Sequence, residues 1–306
     1  MRLASVYAAV VLIWSTTPLG IRFSVESLDF IQALAIRMGL SLALCVALLK
    51  LFNIKFIISR AALVSYGLGA IAVSGAMLCV YWASQALSSG LVSVMWGLTP
   101  LIVSIYGRIL LPNATIGLNR LLCMGLAVLG LYIIFSQQVN IGQHMVLALV
   151  VLLVGINLQS VSSVLIQKLQ AVPGYQPMHP LVQTTGALML SLPVYGLVWF
   201  FFSGPLPEQV SWTSMGAVAY LATFGSVAGF IGYFYLLNNM SADDVSLITL
   251  ITPVLALLLG TYLANEQLHI NTWVGAGIIM LALLVNQQQQ VRQAMSLFTK
   301  INVKKA

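Results

Sequence analysis

The sequence predicts an all-α polytopic membrane protein, with ten transmembrane helices arranged as two inverted five-helix repeats. Three observations predict this fold. Of the 306 residues, 60% are hydrophobic and 6% charged, and the mean hydropathy is +1.01. Ten apolar segments follow one another with short connections, and the two halves share a polar skeleton at a nearly constant offset. A soluble chain would carry roughly 25% charged residues. Thirteen basic and six acidic side chains cannot cover a 33.0 kDa globule in water. The composition therefore argues against a soluble enzyme, a nucleic-acid-binding module and a disordered scaffold. In a membrane protein the net charge of +7 belongs to basic cytoplasmic loops, not to nucleic-acid contacts.

A membrane-spanning helix needs about 20 mostly apolar residues, because the hydrocarbon core is roughly 30 Å thick and each residue rises about 1.5 Å. The first span, 3–23, follows Arg2 and could be mistaken for a signal peptide. Its apolar run is longer than a signal-peptide core, lacks a convincing small-x-small cleavage site and opens a series, so it is read as a helix. The second, 30–51, carries Arg37. The third and fourth, 61–84 and 90–111, hold the stretch YWASQALSSGLVSVMWGLTP, and the fifth, 118–135, closes the first half. The sixth, 145–168, is the most polar, with Asn157, Gln159, Ser160, Ser162, Ser163 and Gln167 around much of its circumference. Lipid cannot be its main surroundings. The remaining spans are 180–203, 211–238, 245–264 and 271–287. The first repeat is placed at 1–140, the second at 141–287, and a polar, basic tail at 288–306. That tail is expected to anchor at the anionic cytoplasmic surface.

Ten spans put both termini on one side of the membrane. If that side is cytoplasmic, it receives eleven basic residues, from Arg2, Lys50 and Lys55 to Lys304 and Lys305, against Arg22 and Arg37 elsewhere. The positive-inside rule then places both termini in the cytoplasm of a cell (inner or plasma) membrane. Cys45, Cys79 and Cys123 all fall in apolar spans, without metal-ligand spacing or a disulfide framework, and read as small packing residues.

The repeat is visible in single residues. At an offset of 153, Ser88, Val92, Ser93, Thr99, Pro100 and Gly107 fall on Ser241, Val245, Ser246, Thr252, Pro253 and Gly260. The aromatic pair Tyr81-Trp82 meets Phe234-Tyr235, and beyond the following loop the offset becomes 150, where Gly125 meets Gly275. A three-residue insertion is therefore expected near Pro112–Leu118. Five helices per copy is an odd number, so the second copy is threaded upside down, a common design of secondary transporters.

With Trp14-Ser15 and Arg22, Phe30 and Arg37, the stretch ending at Pro100 and its counterpart YLLNNMSADDVSLITLITP ending at Pro253, the sequence resembles the drug/metabolite transporter superfamily, specifically its ten-helix EamA branch. Asn265-Glu266 and Trp273-x-Gly275 extend the likeness, which covers roughly 3–287. The first copy departs from the pattern, having Pro112-Asn113 where the family often has Gly-Glu. The resemblance implies a carrier of small metabolites with a midplane cavity lined by helices 1, 3, 4, 6, 8 and 9.

Polar and aromatic residues at mid-span are the substrate-binding candidates, because burying them costs energy unless they are paired or wet. Trp14, Tyr81, Trp96 and Tyr233 read either as aromatic cavity walls or as packing. Asn157, Gln159 and Ser163 read either as cavity lining or as interhelical hydrogen bonds. Ser93, Trp96, Pro100, Ser104 and Gly107 share one helix face, which Ser246, Thr249, Pro253 and Gly260 repeat. Pro100, Pro253, Gly107 and Gly260 are assigned to hinge or close-packing roles. Arg37 either binds a substrate carboxylate or phosphate, or snorkels outward or pairs with Glu26 or Asp29. Arg22 and Lys168 lie at span ends and read as interfacial.

No acid falls near the centre of a span. Asp243 and Asp244 are expected to cap the ninth helix, Glu266 to mark its other end, and His144, His179 and His269 to lie in loops. Facilitated diffusion or exchange is expected rather than tight proton coupling. No catalytic constellation, metal cluster or cofactor motif is present, so an enzyme is not expected. The leading reading is an exporter of small solutes such as amino acids or related amphiphiles. The other readings are a sugar-phosphate-type carrier, which would want more basic groups, and a non-transporting assembly or chaperone subunit. Expected partners are a small-molecule solute and membrane lipid, without nucleic acid, in a monomer or weak homodimer.

Overall fold

The computed structural model describes residues 2–111, 118–136, 143–263 and 270–286. Its helices are α1 (Arg2–Ser24), α2 (Phe30–Leu51), α3 (Arg60–Ala83), α4 (Ser89–Leu110) and α5 (Leu118–Ser136) in the first half. The second half has α6 (Gln143–Gln170), α7 (Pro180–Phe202), α8 (Trp212–Asn239), α9 (Ala242–Ser246, then Ile248–Leu263) and α10 (Ile270–Asn286). Every expected span is a helix, with ends displaced by no more than three residues. Seven helices are long and apolar enough to cross a bilayer, and α5, α9 and α10 contain shorter apolar segments among the described residues. Pro112-Asn113, Asn265-Glu266, His269 and the tail at 288–306 lie outside the described residues. His144 belongs to the first turn of α6, not to a loop.

The inverted repeat is written in the helix starts. Asp29 caps α2 by accepting from Ile31 N at 2.9 Å, and His179 Nδ1 caps α7 by accepting from Leu181 N at 3.3 Å. Ser59 and Ser211 cap α3 and α8, and Ser88 and Ser241 cap α4 and α9. The three pairs stand 150, 152 and 153 residues apart. Each cap satisfies a backbone N–H that has no partner inside its own helix. Ser241, not Asp243 or Asp244, is therefore the cap of α9; the two aspartates occupy its first turn, where negative charge suits the helix dipole.

Packing follows the same symmetry. The helices pair as α5 with α10, α2 with α7 and α4 with α9, while α1 packs on α8 and α9 as α6 packs on α3 and α4. Exchanging each helix for the one five places away leaves this pattern unchanged. Glycine permits a close crossing of α5 and α10: a Cβ at Gly275 would stand 2.5 Å from the carbonyl oxygen of Gly130. The outside is apolar, with Leu197, Phe200 and Trp212 exposed by 59%, 78% and 86%, as the lipid-facing surface of a multi-pass membrane protein requires.

Both α3 and α8 contain a π-helical stretch, Ile71–Ala76 and Leu221–Ala228, whose starts are 150 residues apart. Wider turns leave carbonyls open to outside donors. The Tyr195 hydroxyl of α7 donates to the carbonyl of Val73, and Ser41 Oγ of α2 lies 3.1 Å from that of Ala222. α4 and α9 are broken as well, at Gly97-Leu98 and at Leu247. The first break directly precedes Thr99-Pro100, whereas the second lies six residues before Pro253, which sits inside a continuous helix. Caps are 153 apart but breaks 150 apart, because the first segment of α4 has eight residues and that of α9 five. The offset returns to 153 at the helix ends, Leu110 and Leu263, and the insertion expected near Pro112–Leu118 falls on residues that lie, except for Leu118, outside the described ones.

Candidate functional site

A cavity of about 90 Å³ lies between the two halves. Its walls come from α1, α2, α3 and α4 of the first repeat and α6, α8 and α9 of the second. Six of the expected binding residues line it: Trp14, Arg37, Trp96, Gln159, Ser163 and Tyr233. Trp14 and Tyr233 are in ring contact, with centroids 5.3 Å apart and planes tilted by 38°. The Tyr233 hydroxyl is within hydrogen-bonding reach of Ser163 and Gln159, so three of the candidates form one cluster. The indole of Trp14 fits because position 229 is glycine; a Cβ there would stand 2.7 Å from Trp14 Nε1.

Two expected residues do not reach the cavity. Asn157 Oδ1 accepts from the Tyr106 hydroxyl of α4 at 3.0 Å, and its Nδ2 donates to the Leu153 carbonyl at 2.8 Å. It ties α6 to α4. Residues two apart on a helix face nearly opposite ways, so with Gln159 turned inward Asn157 must turn away. Tyr81 is fully buried behind the wall, where its hydroxyl accepts from Arg37 Nη1 at 3.3 Å and the guanidinium sits 5.8 Å from its ring centre. It supports Arg37 instead of forming a wall itself.

Arg37 is 1% exposed and lines the cavity. It neither snorkels nor pairs with Asp29, whose carboxylate caps α2. Its Nε donates to Ser226 Oγ at 2.8 Å, and both partners so far named are neutral hydroxyls. The π turn of α8 brings Gly225 and Ser226 against it: a Cβ at Gly225 would stand 3.1 Å from Nη2.

Of the small-residue stripes, Ser93, Ser246 and Thr249 face the cavity, and Thr99 and Thr252, outside the stripes, face it too. Thr99 Oγ1 donates to the Trp96 carbonyl and Thr249 Oγ1 to that of Ser246, so a threonine spans each helix break. Pro100, Pro253, Gly107 and Gly260 are buried. A Cβ at Gly107 would meet nothing within 4 Å, so close packing does not demand glycine there. Thr17, Ile21 and Phe230 also line the cavity and were not singled out from the sequence. Helical spacing carries the missing signal: Thr17 and Ile21 follow Trp14 by three and seven residues, and Phe230 precedes Tyr233 by three.

Beside the cavity, one bond joins the two halves and another lies within the second half. Ser104 Oγ of α4 donates to Asp243 Oδ1 at 3.0 Å, and Gln167 Oε1 of α6 accepts from the backbone N–H of Ala242 at 2.9 Å. Among the described residues, no group of His, Cys, Asp and Glu is arranged to hold a metal ion.

The sequence pattern of the EamA-like transporter family matches the chain twice, over residues 3–136 and 144–287. An uncharacterized inner membrane transporter of Escherichia coli strain K12, YedA, is 28% identical over 90% of this chain and 88% of its own. An uncharacterized transporter of Archaeoglobus fulgidus is 24% identical over 92% of this chain and 96% of its own. A solved crystal structure shares the fold, with a TM-score of 0.68 at 15% identity over 95% of this chain and 98% of that one.

Proposed function

The chain belongs to the EamA-like transporter family, a family of transporters and not of enzymes, and from that premise we propose that it exports small amphiphilic solutes, amino acids or related compounds, by alternating access. The observation that carries this reading is the cavity whose walls come from both inverted repeats. Rocking of one repeat against the other would open such a cavity to each side in turn. Aromatic walls with a few hydroxyls and one amide suit a solute that is partly apolar and modestly polar. The bond from Ser104 to Asp243, which joins the two repeats beside the cavity, acts as a gate that must part in the other state. The two π turns, sited alike in α3 and α8 beside the cavity, serve as flexing points. Residues 1–140 and 141–287 act as the two rocking units. The termini lie in the cytoplasm of the inner or plasma membrane, a reading supported by the distribution of basic residues.

Comparison of all metabolites exported by cells with and without the protein tests the reading; unchanged extracellular pools would contradict it. Transport proceeds by facilitated diffusion or exchange. Among the described residues no Asp, Glu or His lines the cavity itself, which supports this coupling. Proteoliposomes are expected to show solute flux at equal internal and external pH. Flux that starts only on imposing a pH gradient would refute this coupling.

A further inference from the structure

We propose that Arg37 anchors the solute, and that the cavity takes a monocarboxylate amphiphile with its carboxylate on the guanidinium and its apolar body between Trp14, Trp96 and Phe230. The proposal rests on the transport reading above and narrows its substrate class. Arg37 is 1% exposed, at cavity depth, and its bonds to Ser226 Oγ (2.8 Å) and Tyr81 Oη (3.3 Å) compensate no charge. A buried ion without a counter-ion is costly in a low-dielectric interior. The described carboxylates do not supply the counter-ion from the cavity wall: Asp29 caps α2, Asp243 accepts from Ser104 and Asp244 accepts from Ser241. Glu26 and Glu208 lie in the connections before α2 and α8. The planar guanidinium has more N–H donors than these two bonds use, in a fork that fits a carboxylate. Gly225 keeps the wall beside Nη2 free of a side chain.

The charge count sets the class. Among the described residues Arg37 is the one basic residue in the cavity wall, so one negative charge is neutralised and a phosphate monoester would keep an excess. Among the described residues no carboxylate in the wall answers an α-ammonium, so the amino group of an amino acid is tolerated and not required. Simple aromatic or branched monocarboxylates therefore bind as well.

Purified protein is titrated with phenylpropionate, its neutral isostere phenylpropanol, and phenyl phosphate, reading the change in tryptophan fluorescence, to which Trp14 and Trp96 contribute from the cavity wall, and thermal stabilisation. Wild type is expected to bind phenylpropionate about tenfold or more tighter than phenylpropanol, with phenyl phosphate weaker than phenylpropionate. Arg37→Gln is expected to bring that ratio to about one while phenylpropanol binds as before. Should Arg37→Gln fail to fold, Arg37→Lys and Gly225→Ala, which keeps the arginine but crowds Nη2, are expected to lower the same ratio. Equal affinity for acid and alcohol in wild type, a ratio untouched by these variants, or preference for phenyl phosphate would overturn the anchor. Proteoliposome flux separates the two readings. Flux of acid and alcohol alike, independent of Arg37, removes the anchor and leaves transport standing. Arg37-dependent binding without flux of any probe removes transport and leaves the anchor.

Discussion

Trp14→Ala is expected to lower solute flux in proteoliposomes by about tenfold or more, with folded yield within a factor of about two of wild type. The indole is half-buried at the cavity wall, so its loss removes ligand-facing surface more than core. Its ring contact with Tyr233 also holds the phenol whose hydroxyl reaches Gln159 and Ser163. Truncation therefore unseats the polar cluster as well as one wall. A buried aromatic anchor is typically worth about 2 kcal/mol or more in binding, which exceeds the 1.4 kcal/mol or so that makes a tenfold change. Trp14→Phe should keep most of the flux. Unchanged flux in Trp14→Ala would show that the solute does not pass this wall.

Gly186→Leu is expected to abolish the folded protein, read as loss of the monodisperse peak in detergent chromatography. A Cβ at Gly186 in α7 would lie 2.3 Å from two atoms of the Tyr66 ring in α3. That ring cannot retreat: it stacks on Phe56 at 5.4 Å, and its hydroxyl donates to the Ile57 carbonyl at 2.8 Å. Overpacking normally costs about 1–3 kcal/mol, and a pinned neighbour puts this case at or above ~3 kcal/mol. Tyr66→Ala with Gly186→Leu should recover part of the yield, because the second change vacates the space the leucine needs.

The fold was legible because hydrocarbon thickness imposes one length scale on every span, and because the repeat left paired residues such as Ser88 and Ser241, both of them caps. The site was legible where chemistry marked it. Arg37, Gln159 and Trp14 stand out as polar or amphipathic groups at mid-span, and all three line the cavity. Asn157 carried the same mark but faces α4, since polarity alone does not say which of two partners, solute or neighbouring helix, satisfies an amide. Tyr81 failed differently: its role depends on a guanidinium arriving from α2, a tertiary fact with no local signature. The π turns escaped because apolar periodicity does not report a change from i+4 to i+5 bonding. A trace did exist in Ser74-Gly75 and Gly225-Ser226, small pairs of the kind at which helices deform, placed alike in the two repeats.

Alternating access through this cavity makes one demand that a cross-link meets directly. Ser104 of α4 and Asp243 of α9 join the two repeats beside the cavity, with side-chain oxygens 3.0 Å apart. In a protein with Cys45, Cys79 and Cys123 replaced, Ser104→Cys with Asp243→Cys can be oxidised to a disulfide across that gate. The oxidised protein is expected to carry no flux above empty liposomes, and reduction is expected to restore it. Oxidised protein that transports as fast as the reduced form would contradict the account.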